Sequence, residues 1–309
     1  KKKVVLITGG AGFIGSHTVD QFLEKGFVVK CIDNLSGGNI NNISHLKNNK
    51  KFIFEDLDII KSHKYKTFIK DCNYVVHFAG IGDIVPSIEN PQKYFENNFN
   101  GTLNLLDSLN LKKIKKFTYA ASSSCYGLAK TPTSESDPIQ TLYPYALSKY
   151  MGEQVIFHWN KVYNLKANSI RIFNAYGTRS RTTGAYGAVF GVFLKQLISK
   201  KPLTVVGDGN QKRDFLFVTD VARAFFKSTS SQHHGKIWNL GSGNPQSINY
   251  LVKLLNPVGT VRIPKRPGEP DITHANISLI KKDLKWAPKI SFEEGVQKIL
   301  NDIDYWKNA

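Results

Sequence analysis

The amino-acid sequence predicts an α/β fold in which a doubly wound parallel sheet is followed by a smaller C-terminal lobe. In the first half of the chain, short apolar runs alternate with longer stretches whose apolar residues recur at helical spacing. Glycines cluster directly after the first apolar run, where folds of this kind bind their ligands. After about residue 174 the alternation loosens, and Gly, Pro and aromatic residues separate shorter elements. We expect that later part to cover the carboxyl ends of the strands.

Six apolar runs are typical of buried strands in a parallel sheet. They are Val4–Ile7, Val28–Ile32, Lys51–Phe54, Tyr74–Phe78, Lys116–Ala120 and Asn168–Ile172. The clearest helical stretches between them are Ile14–Lys25, Tyr94–Leu109 and Tyr145–Tyr163. This order predicts a sheet domain over residues 1–173, completed by about 214–243, and a substrate-binding lobe over 174–309.

The chain has 309 residues and carries 42 Lys and Arg against 24 Asp and Glu, a formal charge of +18. Such a charge is compatible with nucleic-acid binding. The basic residues are spread along the chain, however, and only seven of them are arginine. That distribution favours a solvated lysine surface over a nucleic-acid interface, and it also suits an anionic small substrate.

The sequence contains no run of 18 apolar residues, so it predicts no membrane span. The first strand begins at Val4, which leaves no room ahead of it for the apolar region of a signal peptide, and we expect a cytoplasmic protein. Cys31, Cys72 and Cys125 are widely spaced and match neither a disulfide framework nor a metal-binding pattern. We therefore expect no metal site.

Between the first strand and the first helix, glycines stand at positions 9, 12 and 15. A turn of this kind lets backbone N–H groups approach a pyrophosphate at the positive end of the helix dipole. Asp33 ends the second strand 18 residues after Gly15, where a carboxylate can accept hydrogen bonds from the adenosine ribose. A 2′-phosphate would face the negative charge of Asp33, and no arginine is expected nearby to offset it, which favours NAD over NADP. A turn without a ligand, with Asp33 capping the loop ahead of Asn34, is the competing interpretation.

Tyr145 and Lys149 are four residues apart, which places both side chains on one face of a helix. A lysine ammonium beside a tyrosine favours phenolate, whereas an unperturbed tyrosine titrates near pH 10, about three units too high for a base at pH 7. A Tyr-x-x-x-Lys pair alone is commonplace, and only its place after the glycine motif gives it meaning.

With both motifs present, the sequence resembles the extended short-chain dehydrogenase/reductase family, and within it the nucleotide-sugar 4-epimerase branch. Further motifs that carry this resemblance run along nearly the whole chain. They are His77–Ala79, Ala121–Gly127, Arg171–Asn174, Arg213–Phe215 and Arg266–Glu269. The resemblance implies a Rossmann fold and, as catalytic residues, Ser122, Tyr145 and Lys149.

The residues after Ser122 distinguish reactions within this family. Ser123 and Ser124 occupy positions where the related 4,6-dehydratases have Asp and Glu, so dehydration lacks its acid and base. Related decarboxylases have Glu at the place of Ser124, and keto-sugar 3,5-epimerase/reductases have Cys there, whereas Cys125 here is one position further on. A serine-rich turn without catalytic meaning is the alternative.

The resemblance also implies two sets of binding residues. Those for NAD are Gly9, Gly12, Phe13, Ile14, Gly15, Asp33, Asn34, Asp56, Leu57, Ala79, Gly80, Asn98, Tyr145, Lys149 and Phe173. Those for the nucleotide sugar are Ser87, Ser123, Ser124, Asn174, Ala188, Val189, Arg213, Arg266, Glu269 and Thr273. Arginine suits a diphosphate because its planar fork binds phosphate bidentately, although a surface ion pair would explain the same residue type. Thr273 replaces a bulky Tyr found in some epimerases and should leave space for an N-acetyl group.

The function implied is NAD-dependent C4 epimerisation of a UDP-hexose or UDP-N-acetylhexosamine through a transient 4-keto sugar. Alternatives on the same fold are 4-epimerisation of a UDP-uronic acid, 2-epimerisation or keto-sugar reduction, and less readily 4,6-dehydration or decarboxylation. A noncatalytic NAD-binding regulator is a further alternative, which the presence of Tyr145 and Lys149 argues against. The helices Tyr94–Leu109 and Tyr145–Tyr163 resemble the family's dimer interface, so we expect a homodimer; burial of their apolar faces within one chain is the other explanation.

Overall fold

The computed structural model describes residues 3–182, 189–265 and 269–307. The strands of this part are β1 (Val4–Thr8), β2 (Val28–Asp33), β3 (Phe52–Asp56), β4 (Tyr74–His77), β5 (Lys116–Ser122), β6 (Ala167–Ile172), β7 (Asn174–Tyr176), β8 (Leu203–Val206), β9 (Lys212–Arg213), β10 (Phe215–Phe217), β11 (Lys236–Leu240), β12 (Gln246–Ser247) and β13 (Thr260–Ile263). The α-helices are α1 (Phe13–Glu24), α2 (Ser62–Tyr65), α3 (Ile84–Glu89), α4 (Pro91–Phe95), α5 (Gly101–Ser108), α6 (Pro144–Tyr163), α7 (Val189–Ile198), α8 (Val218–Ser230), α9 (Ile248–Leu255), α10 (Ser278–Leu284), α11 (Phe292–Asn301) and α12 (Ile303–Lys307). Within these residues, no helix is long and apolar enough to span a membrane.

Seven strands form one parallel sheet in the order β11-β6-β5-β4-β1-β2-β3. The six predicted strands are all present, each with bounds within two residues of those expected. The strand order reverses between β1 and β4, which confirms the predicted doubly wound sheet. In this architecture a crevice opens at the carboxyl ends of those two strands.

Alternating side chains of each central strand pack on opposite faces of the sheet. On one face, Val5 and Ile7 of β1 pack with α1 and α8 in one buried cluster. On the other, Val4 and Leu6 pack with α5 and α6 in a second cluster. Because both faces are covered by helices, the strands are apolar throughout, as the sequence pattern indicated.

The predicted helix over Tyr94–Leu109 is a longer helical run from Pro91 to Ser108 that contains a π-helical turn at Glu96–Asn100. The side chain of Asn90 caps its beginning by accepting a hydrogen bond from the backbone of Lys93. A π-helical turn adds one residue per turn and so rotates the side chains that follow, a feature frequent at functional sites. Here the turn contains Asn98, which is buried.

The C-terminal lobe has a third core that is rich in aromatic rings. The ring of Tyr176 stacks on Phe190 with centroids 4.6 Å apart, and Phe215 stacks on Phe292 at 5.2 Å. Short strand pairs surround this core: β7 with β10, β8 with β13, and β9 with β12. Because β10 leads directly into α8, which packs on the sheet, the lobe is tied closely to the sheet domain.

Asp214 links the lobe to the loop after β11. Its fully buried carboxylate accepts hydrogen bonds from the Ser242 backbone N–H and hydroxyl at 2.5 and 2.6 Å. It also accepts from the backbone N–H groups of Gly243 at 3.1 Å and Ala275 at 2.8 Å. One side chain thus joins three separate segments of the chain.

Replacing Asp214 by Asn should destabilise the protein, because an amide has one acceptor oxygen and would present N–H donors to backbone donors. Bonds to a charged group contribute about 1.5–3 kcal/mol each, so we expect the free energy of unfolding to fall by roughly 3 kcal/mol or more. Chemical denaturation measures this change. Asp107→Asn is the control, since Asp107 is exposed on α5 and a surface substitution costs less than about 0.5 kcal/mol. Equal stability of the two variants would contradict the role of Asp214.

Candidate active site

The glycine-rich turn lies at the crevice between β1 and β4. Gly9 has a φ of +69°, in the left-handed region that favours glycine, and a Cβ there would lie 2.7 Å from the backbone nitrogen of Ala79. A Cβ on Gly15 would lie 2.1 Å from the carbonyl oxygen of Gly9. Gly12 precedes α1 and adds no side chain over the first N–H groups of that helix. The turn therefore gives a pyrophosphate close access to the helix N-terminus.

His77 connects the ends of β1 and β4. Its Nδ1 lies 2.6 Å from the Thr8 hydroxyl, and its Nε2 lies 2.9 Å from the hydroxyl of Thr102. The Thr102 hydroxyl donates to the Asn98 carbonyl, so it accepts from His77 Nε2, and His77 Nδ1 accepts from Thr8. Burial lowers the pKa of His77 to about 3. The neutral ring thus fixes the loop at Ala79, whose N–H donates to Thr8 at 3.2 Å.

The predicted adenosine residues converge at the ends of β2 and β3. Asp33 and Asp56 are directly opposite each other in the sheet register, and the backbone N–H of Leu57 donates to the Asp33 carbonyl at 3.3 Å. The Asp33 carboxylate accepts from the backbone N–H groups of Ala11 at 3.0 Å and Leu35 at 2.9 Å. Burial raises its pKa, while these backbone bonds lower it. The geometry fits a ribose held beside the glycine turn.

An arginine approaches this loop from a distant part of the chain, which the sequence alone did not indicate. Arg181 lies close enough to Gly37 that a Cβ there would be 3.5 Å from its Nη1. Gly38 lies over the Asp33 carboxylate, since a Cβ at that residue would be 2.9 Å from both oxygens. Asn34, next to Asp33, donates to Asp58 at 3.2 Å. The predicted preference for NAD over NADP therefore depends on Asp33 rather than on the absence of a nearby arginine.

Asn98 holds the segment that follows β4. Its Oδ1 accepts from the backbone N–H of Ile81 at 2.8 Å, and its Nδ2 donates to the Ile81 carbonyl and to the Ser148 hydroxyl, both at 3.0 Å. Its amide is thus engaged with the protein. Asn98 orients the Ala79–Ile81 segment against α6.

The predicted catalytic residues meet at the end of β5 and the start of α6. Ser122 is the last residue of β5, and Tyr145 lies in the first turn of α6, directly after Pro144. The Ser122 hydroxyl lies close enough to that of Tyr145 to lower its pKa, and it lies 2.8 Å from the Ser124 hydroxyl. Burial raises the pKa of the Tyr145 hydroxyl, the Ser122 hydroxyl lowers it, and the charge of Asp83 raises it further.

Lys149 follows one helical turn after Tyr145 and is 8% exposed. Its Nζ lies 4.4 Å from the centroid of the Tyr119 ring. Burial lowers the pKa of Lys149 to about 7, against the raising effect of Glu153. The sequence predicted that Lys149 lowers the pKa of Tyr145, but in the protein alone burial dominates at Tyr145 and only the nearby Ser122 hydroxyl opposes it.

A buried network behind the catalytic residues was missed in the sequence. Glu153 and Arg171 form a two-pronged ion pair with distances of 2.6 and 3.1 Å, and both are almost fully buried. Arg171 also donates to the Tyr126 hydroxyl at 2.7 Å, and Tyr126 donates to Asn239 at 2.7 Å. The four-residue step from Lys149 to Glu153 was a usable signal, because it places both on one face of α6.

Several predicted substrate residues line two adjoining cavities. Arg213 and Glu269 line a cavity of about 350 Å³ in the lobe. Ser123, Phe173 and Thr273 line a smaller cavity of about 40 Å³. The two cavities share Pro270 and Ile272 in their walls. Residues from four separate segments of the chain therefore border this pair of adjoining cavities.

Arg213 is held in place by its neighbours. Its Nη1 donates to the carbonyl groups of Lys212 and Pro270, both at 2.9 Å. Burial lowers the pKa of Arg213, and the charges of Glu269 and Asp271 raise it. Since both of these backbone bonds come from Nη1, the remaining nitrogens of the planar fork can bind phosphate.

Other predicted residues lie in varied settings. Thr273 donates to Asn174 Oδ1 at 2.6 Å and accepts from the backbone N–H of Asp214, so the two predicted residues contact each other directly. Ser87 is fully buried, and its hydroxyl donates to the Ile84 carbonyl within α3. Val189 begins α7. Ala188 and Arg266 lie outside the described residues.

A doubly wound sheet with a glycine turn at its crevice, an acidic residue on the ribose side and a Tyr-Lys pair whose lysine is buried defines an NAD-binding enzyme of the α/β class. Residues 5–241 match the model of the NAD dependent epimerase/dehydratase family. The chain belongs to this family.

Individual relatives agree over the full length. A putative UDP-glucose 4-epimerase of Methanocaldococcus jannaschii is 35% identical, with 96% of this chain and 97% of the relative covered. The structure of a UDP-N-acetylglucosamine 4-epimerase from Methanobrevibacter ruminantium M1 matches with a TM-score of 0.91, 29% identity, and coverage of 100% and 99%. A UDP-glucuronic acid 4-epimerase from Bacillus cereus, solved with UDP-glucuronic acid and NAD, matches with a TM-score of 0.91, 30% identity, and coverage of 98% and 99%.

Gly15→Ala should remove bound NAD, because its Cβ would clash with the backbone of the glycine turn. We expect the purified variant to carry less than about a tenth of the wild-type cofactor, a loss of roughly 1.4 kcal/mol or more. Denaturation followed by chromatography of the released nucleotide measures the content. Gly259→Ala is the control, since a Cβ there would meet only Pro202 at 4.0 Å. A Gly15→Ala protein that retains its NAD would show that the turn does not hold the cofactor.

Proposed function

We propose that the protein catalyses C4 epimerisation of a UDP-hexose or UDP-N-acetylhexosamine. The observation that carries this proposal is the meeting of Ser122, Tyr145 and Lys149 at the crevice, beside cavities lined by Arg213 and Thr273. Relatives named as 4-epimerases of UDP-sugars support the same reaction class.

The larger cavity would hold the nucleotide end of the substrate. Arg213 is fixed by its backbone bonds and supplies the charge for a diphosphate, with Arg266 and Asn174 as further ligands. Glu269 would accept hydrogen bonds from the ribose. The adjoining small cavity, lined by Ser123, would then receive the sugar.

Tyr145 is the proposed base. As phenolate it takes the proton of the sugar 4-hydroxyl, and the nearby Ser122 hydroxyl orients that oxygen. NAD held by the glycine turn would supply the acceptor and donor of the C4 hydride, and its positive charge would favour phenolate at Tyr145. Lys149, poised with a pKa of about 7, adds positive charge on the same side when protonated.

Inversion requires the 4-keto sugar to present its other face before reduction. Holding the diphosphate at Arg213 keeps the intermediate bound while the ring rotates. Proton return from Tyr145 then completes the cycle with no net consumption of NAD. Tight retention of the cofactor follows from this cycle.

The serine turn argues against two alternative reactions. Loss of water or of CO2 would require the carboxyl groups that related enzymes place at Ser123 or Ser124. Here the Ser124 hydroxyl contacts that of Ser122 at 2.8 Å. A keto-sugar reductase would consume NADH stoichiometrically, and a 2-epimerase would leave C4 unchanged, so product analysis separates both from the proposal.

Acceptance of N-acetyl sugars is the finer part of the proposal. Thr273 is small, and its hydroxyl is turned to Asn174, so its methyl carbon and the shared wall of the small cavity border the sugar. Replacing Thr273 by Tyr should therefore narrow the cavity that receives the sugar.

The division into a sheet domain and a lobe, and residence in the cytoplasm, remain predictions from the sequence.

Tyr145→Phe should lower turnover at least about 100-fold, because it removes the group that moves the proton. The assay follows interconversion of UDP-glucose with UDP-galactose, and of their N-acetyl forms, by the NAD-loaded protein. Tyr163→Phe serves as the control, since Tyr163 is exposed at the far end of α6. Wild-type turnover in Tyr145→Phe would overturn the assignment.

We further propose a homodimer formed through α6. The predicted helix Tyr94–Leu109 buries Leu105, Leu106 and Leu109 within the monomer. For that helix, burial within one chain is therefore favoured over a dimer interface. α6 instead keeps a stripe of partly or fully exposed apolar side chains. It consists of Leu147, Met151, Val155 and Val162.

Sedimentation velocity at micromolar concentration should show a species of twice the 34.7 kDa chain mass. Leu147→Glu should shift it to monomer, because a charge in the stripe opposes burial. Gln297→Glu, which adds the same charge at an exposed position on α11, away from α6, should not. A wild-type monomer would contradict the proposal.

A further inference from the structure

Asp83 stands out because its carboxylate is not used by the helix that it begins. It occupies the N-cap position of α3 with an extended backbone, at φ −92° and ψ 131°, yet its side chain makes no capping bond. Aspartate at this position usually accepts from the first backbone N–H groups of the helix. The side chain is half-buried, and its charge acts on the hydroxyls of Tyr94 and Tyr145.

The segment that carries Asp83 runs along the catalytic residues. A Cβ on Gly80 would lie 3.9 Å from Lys149 Nζ, and Asn98 pins Ile81 next in the chain. A Cβ at Gly82 would meet no atom within 4 Å, so the segment faces open space there. The segment 79–83, which follows β4, therefore forms one wall of the crevice.

Two tyrosines connect Asp83 to the reacting centre. The Asp83 backbone N–H lies close enough to the Tyr94 hydroxyl to lower its pKa, and the Tyr94 ring lies edge-on to Tyr145 with centroids 6.4 Å apart. The Asp83 charge raises the pKa of both hydroxyls, although burial is the larger cause at each. The carboxylate thus acts at the place where Tyr145 must meet the sugar.

Other charged or titratable groups face the same pocket. Arg181 acts on Tyr94 from the lobe, and its charge lowers the pKa of that hydroxyl. Cys125, in the turn Ser123–Tyr126 after β5, raises the pKa of Tyr145. Lys149 faces the same pocket from α6. Among the described residues no ion pair includes Asp83, so its charge is free to act on a charged ligand.

We propose that Asp83 is a specificity-determining residue that selects neutral hexoses and N-acetylhexosamines against hexuronates. The inference rests on the proposed function, which brings the sugar C4 to Tyr145. In a hexuronate the carboxylate is attached to C5, the carbon next to C4. With C4 at Tyr145 and the C5 side of the ring turned to the wall that carries Asp83, that carboxylate would lie toward Asp83, and like charges in a partly desolvated crevice repel.

Asp83→Asn tests this in the full-length, NAD-loaded protein, because it removes the charge while keeping the shape. We measure kcat/KM for UDP-glucose, UDP-N-acetylglucosamine and UDP-glucuronate. The ratio of kcat/KM for UDP-glucuronate to that for UDP-glucose should rise roughly tenfold or more through faster use of the uronate. Glu89→Gln, which removes a charge from the exposed end of α3, should leave the ratio unchanged.

The pH profile gives a readout that a purely structural role would not move. The Asp83 charge raises the pKa of Tyr145. Removing that charge should therefore lower the pKa of the general base that is measured from the pH dependence of kcat/KM. An unchanged substrate ratio, or a wild-type enzyme that prefers UDP-glucuronate, would overturn the inference. A ratio that rises only through lost activity on neutral sugars would make Asp83 a hydrogen-bonding ligand and overturn it as well.

Calorimetric titration separates failure of this inference from failure of the proposed function. If no UDP-sugar is converted, the epimerase proposal fails, yet the affinities of the wild type and Asp83→Asn for UDP-glucuronate and UDP-glucose still compare the charge effect. Tighter binding of UDP-glucuronate by Asp83→Asn alone supports the role of Asp83. Equal affinities in both proteins contradict it.

Discussion

The ion pair of Glu153 and Arg171 is the interaction on which the geometry of the crevice depends. It joins the middle of α6 to β6, and through Tyr126 it reaches the turn that follows β5. Removing one partner of such a buried pair would leave a charge with no compensation, which is far costlier than replacing both. The pair therefore fixes the one position of α6 in which Tyr145 meets Ser122.

The same constraint explains how a lysine can be buried beside this site. Lys149 is next to the buried Glu153 on α6, and the carboxylate partly offsets the cost of burying an ammonium group. The offset is incomplete because Glu153 is already neutralised by Arg171. A pKa of about 7 follows, so both protonation states of Lys149 are populated at neutral pH.

The sequence predicted those features whose cause is local. Apolar runs identified the strands of the sheet, and the glycine spacing identified the turn at the crevice, because both depend on neighbouring residues. The position of Asp83 and the approach of Arg181 to the ribose loop could not be predicted, since they depend on how distant segments pack. The π-helical turn that places Asn98 was also missed, because its apolar spacing differs from that of an α-helix by one residue only.

The pKa values of Tyr145 and Lys149 together indicate why the cofactor must be present before the sugar can react. In the protein alone, burial raises the pKa of the Tyr145 hydroxyl, and the partial charge of Lys149 does not offset it. A phenolate therefore needs a further positive charge in the crevice, and oxidised NAD would supply one. In the proposed mechanism that charge would be lost with hydride transfer, so Tyr145 would then retain its proton more strongly. The charge of the cofactor would thus couple proton transfer at Tyr145 to hydride transfer at C4, with each favoured in the same direction.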